Sequence, residues 1–139
     1  MTDDEIRAFL IFGTRTAKLA TVRADGRPHV APVWFVVDDD GSLVLTTGEG
    51  TVKGRNLRRE PRVAVSVDDE TPPFSFVLID GTAELGDDRD QVLAWATKLG
   101  ARYMGEDQAE AFGRRNAVPG ELLVRIRPTR TIGQKDIAD

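Results

Sequence analysis

Two Asp-Gly turns set between extended runs constrain this chain more than any other feature of its sequence. Thr16 to Arg23 alternates apolar and polar residues, Ala24-Asp25-Gly26-Arg27 reverses the direction, and a second extended run goes from Pro28 to Asp38. Asp39-Asp40-Gly41 then turns the chain into the apolar run Ser42 to Thr47. Asp-Gly between period-two segments signals a tight hairpin, because glycine accepts the positive φ that such a turn needs. Consecutive hairpins commit the chain to antiparallel pairing. Three further runs read as strands: Arg62 to Asp68, Phe74 to Leu85 after the interruption Thr71-Pro72-Pro73, and Glu121 to Gly133 with Leu122, Val124 and Ile126 on one face. Helical spacing is confined to a capped segment after Thr2, to a short helix carrying Lys53, Arg55 and Asn56, and to Asp87 through about Gly100, with Arg102 to Arg115 extending or repeating it. The expectation is a mainly β protein: one domain, residues 1–139, folded as a six-stranded antiparallel barrel.

Composition removes several classes of function. The 139 residues contain no cysteine, so disulfides, thiolate catalysis and Cys-ligated metal centres are excluded, and one histidine, His29, leaves no His-rich metal site. A net charge of −4 argues against general nucleic-acid binding, which needs an extended basic face. No apolar run is long enough for a membrane span and no charged, apolar leader opens the chain, so a cytoplasmic protein with no membrane partner is expected. Asp38-Asp39-Asp40-Gly41 lacks the acids that a calcium loop requires, since Val36 and Thr47 stand where they would be, and it reads as a hairpin turn.

One segment carries chemistry. The loop Thr46-Thr47-Gly48-Glu49-Gly50 runs into the Lys53 helix, and a polar, glycine-rich loop at a helix N-terminus exposes unpaired amides beside a positive dipole end, which suits a phosphate. The spacing is neither of the common nucleotide fingerprints. The glycine after Gly48 and Gly50 is Gly54, one residue too late for a dinucleotide motif, and no Gly-Lys-Ser/Thr follows for a Walker loop. Lys53 would be the phosphate cation, with Asn56 one turn further along the helix; Arg58 and Arg59 read as an ordinary solvated helix end. In the second run Pro32 marks an edge or a bulge, because proline donates no ladder hydrogen bond. His29 reads as a satisfied strand histidine, and Trp95 and Leu99 as helix packing. Tyr103, Phe112 and Asn116 lie where a segment could cover a pocket mouth.

In order and wording these segments resemble the pyridoxamine phosphate oxidase-like split β-barrel flavoproteins, and within them the branch that uses the deazaflavin coenzyme F420. The resemblance is carried by Leu19 to His29, by Pro32-Val33-Trp34-Phe35, by Thr46-Thr47-Gly48 with Lys53 to Val63, and by Gly81-Thr82-Ala83-Glu84. It implies a homodimer with the cofactor at the subunit interface and a small-molecule substrate. The phosphate would be held by Lys53 and Asn56 with Thr46, Thr47 and Gly48 at its edge, and Arg55 would reach the anionic tail. The ring would lie over the second strand against the backbone of Val30 to Val33, with Pro32, Val33, Trp34 and Phe74 contributing; Trp34 reads equally as core or interface packing. The implied activity is hydride transfer between the reduced deazaflavin and a small conjugated or unsaturated organic acceptor, with no catalytic side chain identified. FMN is the alternative cofactor, although relatives that use it carry basic residues on the strand before the phosphate loop, where Leu43-Val44-Leu45 has none. A non-catalytic carrier or sensor and a cofactor-free dimeric module remain open, and pyridoxamine phosphate oxidation itself is not expected.

Overall fold

The computed structural model describes residues 1–139. It begins with helix α1 (Asp3–Ile11), started by a reciprocal cap in which Thr2 Oγ1 accepts from the Glu5 amide at 3.1 Å and Glu5 Oε1 accepts from the Thr2 amide at 2.9 Å. Both Asp-Gly hairpins form. β1 (Ala17–Val22) pairs with β2 (Pro28–Val33) across Gly26, at φ +88°, and β3 (Val36–Val37) pairs with β4 (Leu43–Gly48) across Gly41, at φ +86°. Arg125 holds the second turn, 2.7 Å from Asp38. Helix α2 (Val52–Arg59), β5 (Arg62–Asp69), β6 (Ser75–Gly86), α3 (Arg89–Met104), α4 (Ala109–Asn116) and β7 (Glu121–Gln134) complete the chain. Gly105, at φ +99°, separates α3 from a single 3₁₀ turn and α4, so the segment after Arg102 repeats the helix rather than extending it. No helix is long and apolar enough to cross a membrane.

The sheet is antiparallel throughout, but it has seven strands rather than the expected six. The run Pro28 to Asp38 breaks at Trp34-Phe35: β2 pairs with β1, whereas β3 pairs with β4, and these two strands end the order β2-β1-β5-β6-β7-β4-β3. Val33 and Val36 therefore sit on opposite edges of the sheet while being three residues apart, roughly 11 Å of chain at most. The sheet must curl until its two edges meet. Its inner face holds the core, with Leu19, Leu43, Leu45, Val67, Ile79 and Ile126 each at most 2% exposed.

Where the edges meet, the end of α3 fills the seam. Phe35 is fully buried there, its amide donating to the Tyr103 hydroxyl at 3.1 Å, and that hydroxyl lies 2.7 Å from the Arg15 carbonyl. Arg102 donates to the carbonyls of Phe35, Leu10 and Gly13 at 2.7, 2.7 and 3.0 Å, tying α1, its following loop and the seam to α3.

The two chain ends meet on β7. Lys135 pairs with Glu5, and the Met1 amino group donates to the Gly133 carbonyl at 3.3 Å. The Lys135 ammonium, followed by the Thr2 amide, lowers the Glu5 carboxyl from 4.5 to about 2. A carboxylate whose folded value is depressed stabilises the fold above its unfolded value and loses that contribution as pH falls through the folded one. The stability difference between the wild type and Glu5→Gln should accordingly be constant above pH 4.5 and close as pH falls toward 2. Urea midpoints measured across that range check it; a difference independent of pH would mean that the pair contributes nothing.

Candidate functional site

The turn from β4 into α2 is built around two glycines. A Cβ on Gly54 would lie 2.3 Å from the Gly48 carbonyl oxygen, so the first turn of α2 rests directly on the end of β4. Thr51 caps the helix: its Oγ1 accepts from the Gly54 amide at 3.0 Å and donates to the Gly48 carbonyl at 2.8 Å, with Thr47 Oγ1 3.3 Å away. The Thr51 and Arg55 amides are also bonded within the chain, which leaves those of Val52 and Lys53 as the free donors at this helix end. Lys53 is half-buried and makes no ion pair within 4.0 Å.

Thr46, Thr47 and Gly48 are the last residues of β4, paired with Leu123, Leu122 and Glu121 of β7, and not part of the loop the sequence suggested. Because side chains alternate along a strand, the two threonines separate. Thr47 is buried toward the core and braces Thr51, whereas Thr46 shares its face with Gly48 and Glu121. Glu121 is the functional candidate that sequence reasoning missed. Its carboxyl is half-buried and burial pushes it above the ordinary range, against the opposing pull of a hydrogen bond from Thr46 and of the Lys53 and Arg89 charges. Only the pairing of β4 with β7 brings this residue to the α2 end, and no local pattern announces that pairing.

Asn56 is committed elsewhere. It is 3% exposed, its Nδ2 donates to Thr21 Oγ1 at 3.0 Å and its Oδ1 accepts from Arg59 at 3.1 Å, so it braces α2 against β1. Arg59 also donates to the Val22 carbonyl. Arg55 and Arg58 are exposed, Arg55 on a different side of α2 from Lys53. His29 faces Thr21 across the β1–β2 pair, and its Nδ1 is buried without a partner, so it is not the satisfied histidine that the sequence implied.

The residues expected around a ring lie at the opposite end of the strands. Pro32 and Val33 pair with Lys18 and Ala17 at the start of β1, while α2 packs at Thr21 and Val22, about 10–17 Å away along an extended strand. β2 is an edge strand, as Pro32 requires, and one row of its backbone groups faces no other strand. Trp34 is 39% exposed and stacks on Tyr103 with centroids 4.7 Å apart and planes 5° apart, and Phe112 of α4 lies 5.6 Å from it. Phe74, at φ +67°, sits at the β5–β6 turn and is also exposed. Thus one chain gathers Thr46, Gly48, Lys53 and Glu121 at one end, and Pro32, Val33, Trp34 and Phe74 at the other.

Comparison with known proteins gives this arrangement a context. The family model described as pyridoxamine 5′-phosphate oxidase matches residues 2–135. An F420H(2)-dependent biliverdin reductase from Mycobacterium tuberculosis is 28% identical over 138 residues, covering 98% of this chain and 90% of that protein. A 5a,11a-dehydrotetracycline/5a,11a-dehydrooxytetracycline reductase from Streptomyces rimosus is 38% identical over 74 residues, 48% of this chain and 52% of that protein, so the match spans about half of that relative's length. A solved structure described as an F420 reductase superposes with a TM-score of 0.72 at 30% identity, covering 90% of this chain and 94% of that one.

Proposed function

Since the chain belongs to the pyridoxamine 5′-phosphate oxidase family and is an oxidoreductase of its F420-dependent branch, we propose that it binds coenzyme F420 and reduces a small conjugated or unsaturated organic acceptor. The observation that carries this reading is the geometry before α2. Two free backbone amides open α2, half-buried Lys53 stands in the same turn without an ion pair, and the helix is seated so closely on β4 that only glycine fits at Gly54. These donors suit one phosphate group. Leu43, Val44 and Leu45 are each at most 1% exposed, so β4 presents no second cation, which favours the deazaflavin over FMN.

In this reading Lys53 and the Val52 and Lys53 amides hold the phosphate, while Thr46 and Gly48 border it. The free edge of β2 from Val30 to Val33 meets the polar rim of the ring, and Trp34, fixed by Tyr103, closes the acceptor side. When bound, the reduced deazaflavin supplies a hydride; the protein aligns the acceptor and excludes water. This reading includes a homodimer with the cofactor at the subunit interface. The outer face of the sheet is suited to that contact, since Val30, Leu78 and Ile132 are 65%, 43% and 38% exposed beside Ala20 and Ala64.

Fluorescence titration with oxidised F420 and, separately, with FMN tests the reading. Trp34 is the exposed reporter, whereas Trp95 is buried beneath Lys98. Tighter binding of F420 is expected. Lys53→Ala should weaken it about tenfold or more, from loss of one charge-assisted contact, and leave the melting temperature of the free protein unchanged. An equal loss of stability would make Lys53 structural, and a preference for FMN would move the chain to the flavin-using branch.

A further inference from the structure

Resting on the cofactor reading above, we infer that Glu121 makes the phosphate site selective for a singly charged phosphodiester over a doubly charged phosphate monoester. Glu121 opens β7 directly opposite Gly48, and the next contact back along the pair is the Glu49 amide donating to the Gly120 carbonyl at 2.8 Å. The carboxylate is therefore anchored by register to the same turn that presents the free amides. It shares a face with Thr46 and Gly48, and the Lys53 charge acts on it.

The local charges balance. Lys53 and Arg89 are the cations near Glu121, and Arg89 is already spent on the carbonyls of Asp87 and Val118 at 2.9 and 2.7 Å and on the Glu121 carbonyl itself. The second carboxylate is Glu49, whose side chain lies over Gly120, 3.5 Å from where a Cβ would stand. Arg55 is exposed on another side of α2. With carboxylates and cations matched, a ligand anion gains from Lys53 and loses to Glu121. Attraction to Lys53 and repulsion from Glu121 both scale with the ligand's charge, so Glu121 cancels the roughly twofold advantage that Lys53 alone would give a dianion over a monoanion at the same place. A phosphate monoester carries roughly −1.5 to −2 near neutral pH, whereas a diester carries a single charge. The phosphate of F420 is a diester and that of FMN is a monoester, so at the phosphate itself one carboxylate removes the charge advantage that FMN would otherwise have.

The test is to titrate the wild type, Glu121→Gln and Glu121→Asp at pH 8 with F420, FMN and riboflavin, the last carrying a flavin ring without phosphate. Glu121→Gln should tighten FMN about tenfold, F420 by about threefold or less and riboflavin not at all, while Glu121→Asp keeps the wild-type ratio. Equal changes for F420 and FMN, a change for riboflavin, or no change for any of them would overturn the inference while leaving the cofactor reading standing. Wild type that binds neither F420 nor FMN would overturn both.

Discussion

Arg102→Ala is expected to cost about 3 kcal/mol of stability and to lower the melting temperature by roughly 10 °C. The guanidinium donates to three carbonyls from separate segments, Leu10, Gly13 and Phe35, and it stacks 4.6 Å from the Phe35 ring centroid and 5.0 Å from that of Tyr103. Hydrogen bonds from a charged donor contribute about 1.5–3 kcal/mol each, but the three share one side chain and do not add. Removing it also leaves the Phe35 carbonyl in the seam without its strongest donor. Burial already lowers the pKa of Arg102, so the group is retained against a desolvation cost that only well-made bonds offset. Arg102→Lys should recover little, because an ammonium cannot reach three carbonyls that diverge in the plane of a guanidinium. Thermal and urea unfolding decide the matter: a loss below about 1 kcal/mol would show that packing alone closes the seam.

Gly54→Ala is expected to destabilise by about 2 kcal/mol and to weaken cofactor binding at least tenfold, although helix propensity alone argues the other way. In an exposed helix interior alanine would gain up to about 1 kcal/mol over glycine. Here the new Cβ meets a backbone oxygen at 2.3 Å, and the Gly48 carbonyl cannot move without breaking its bonds from Thr51. The clash outweighs the propensity gain, and its relief displaces the turn that carries Lys53. Gly50→Ala is the matched control, with open space around its Cβ and no positive φ; it should stay within about 0.5 kcal/mol of wild type. Calorimetry paired with F420 titration reads both effects, and a Gly54→Ala protein that melts and binds like wild type would dissolve the proposed cradle.

The hairpins, the helix positions and the antiparallel class were legible because each rests on local periodicity and on glycine turns. The handover at Trp34-Phe35 was not. The apolar run from Val30 to Val37 has no break, so nothing local reveals that the chain changes partner halfway, from β1 to β4. The same limit explains Thr46 to Gly48: the glycine made the segment look like a loop, whereas pairing with β7 keeps it in the sheet. The place of Lys53 in the first turn of a helix was readable from the glycine turn before it. Asn56 was misread because spacing along α2 shows a shared face but not what that face meets, and it meets Thr21. Glu121 and Arg102 act through contacts with segments remote in sequence, which one chain read by itself does not display.

The split run at Trp34-Phe35 also governs how copies of this protein can and cannot stick together. A sheet with open ends usually offers unpaired backbone as a template for indefinite growth. Here one end strand carries Pro32, which lacks a donor, and the other, Val36–Val37, is two residues long. Neither can nucleate strand-by-strand polymerisation, while the broad outer face around Val30 and Leu78 stays open to a single closed contact. Both edges thereby discourage open-ended strand addition.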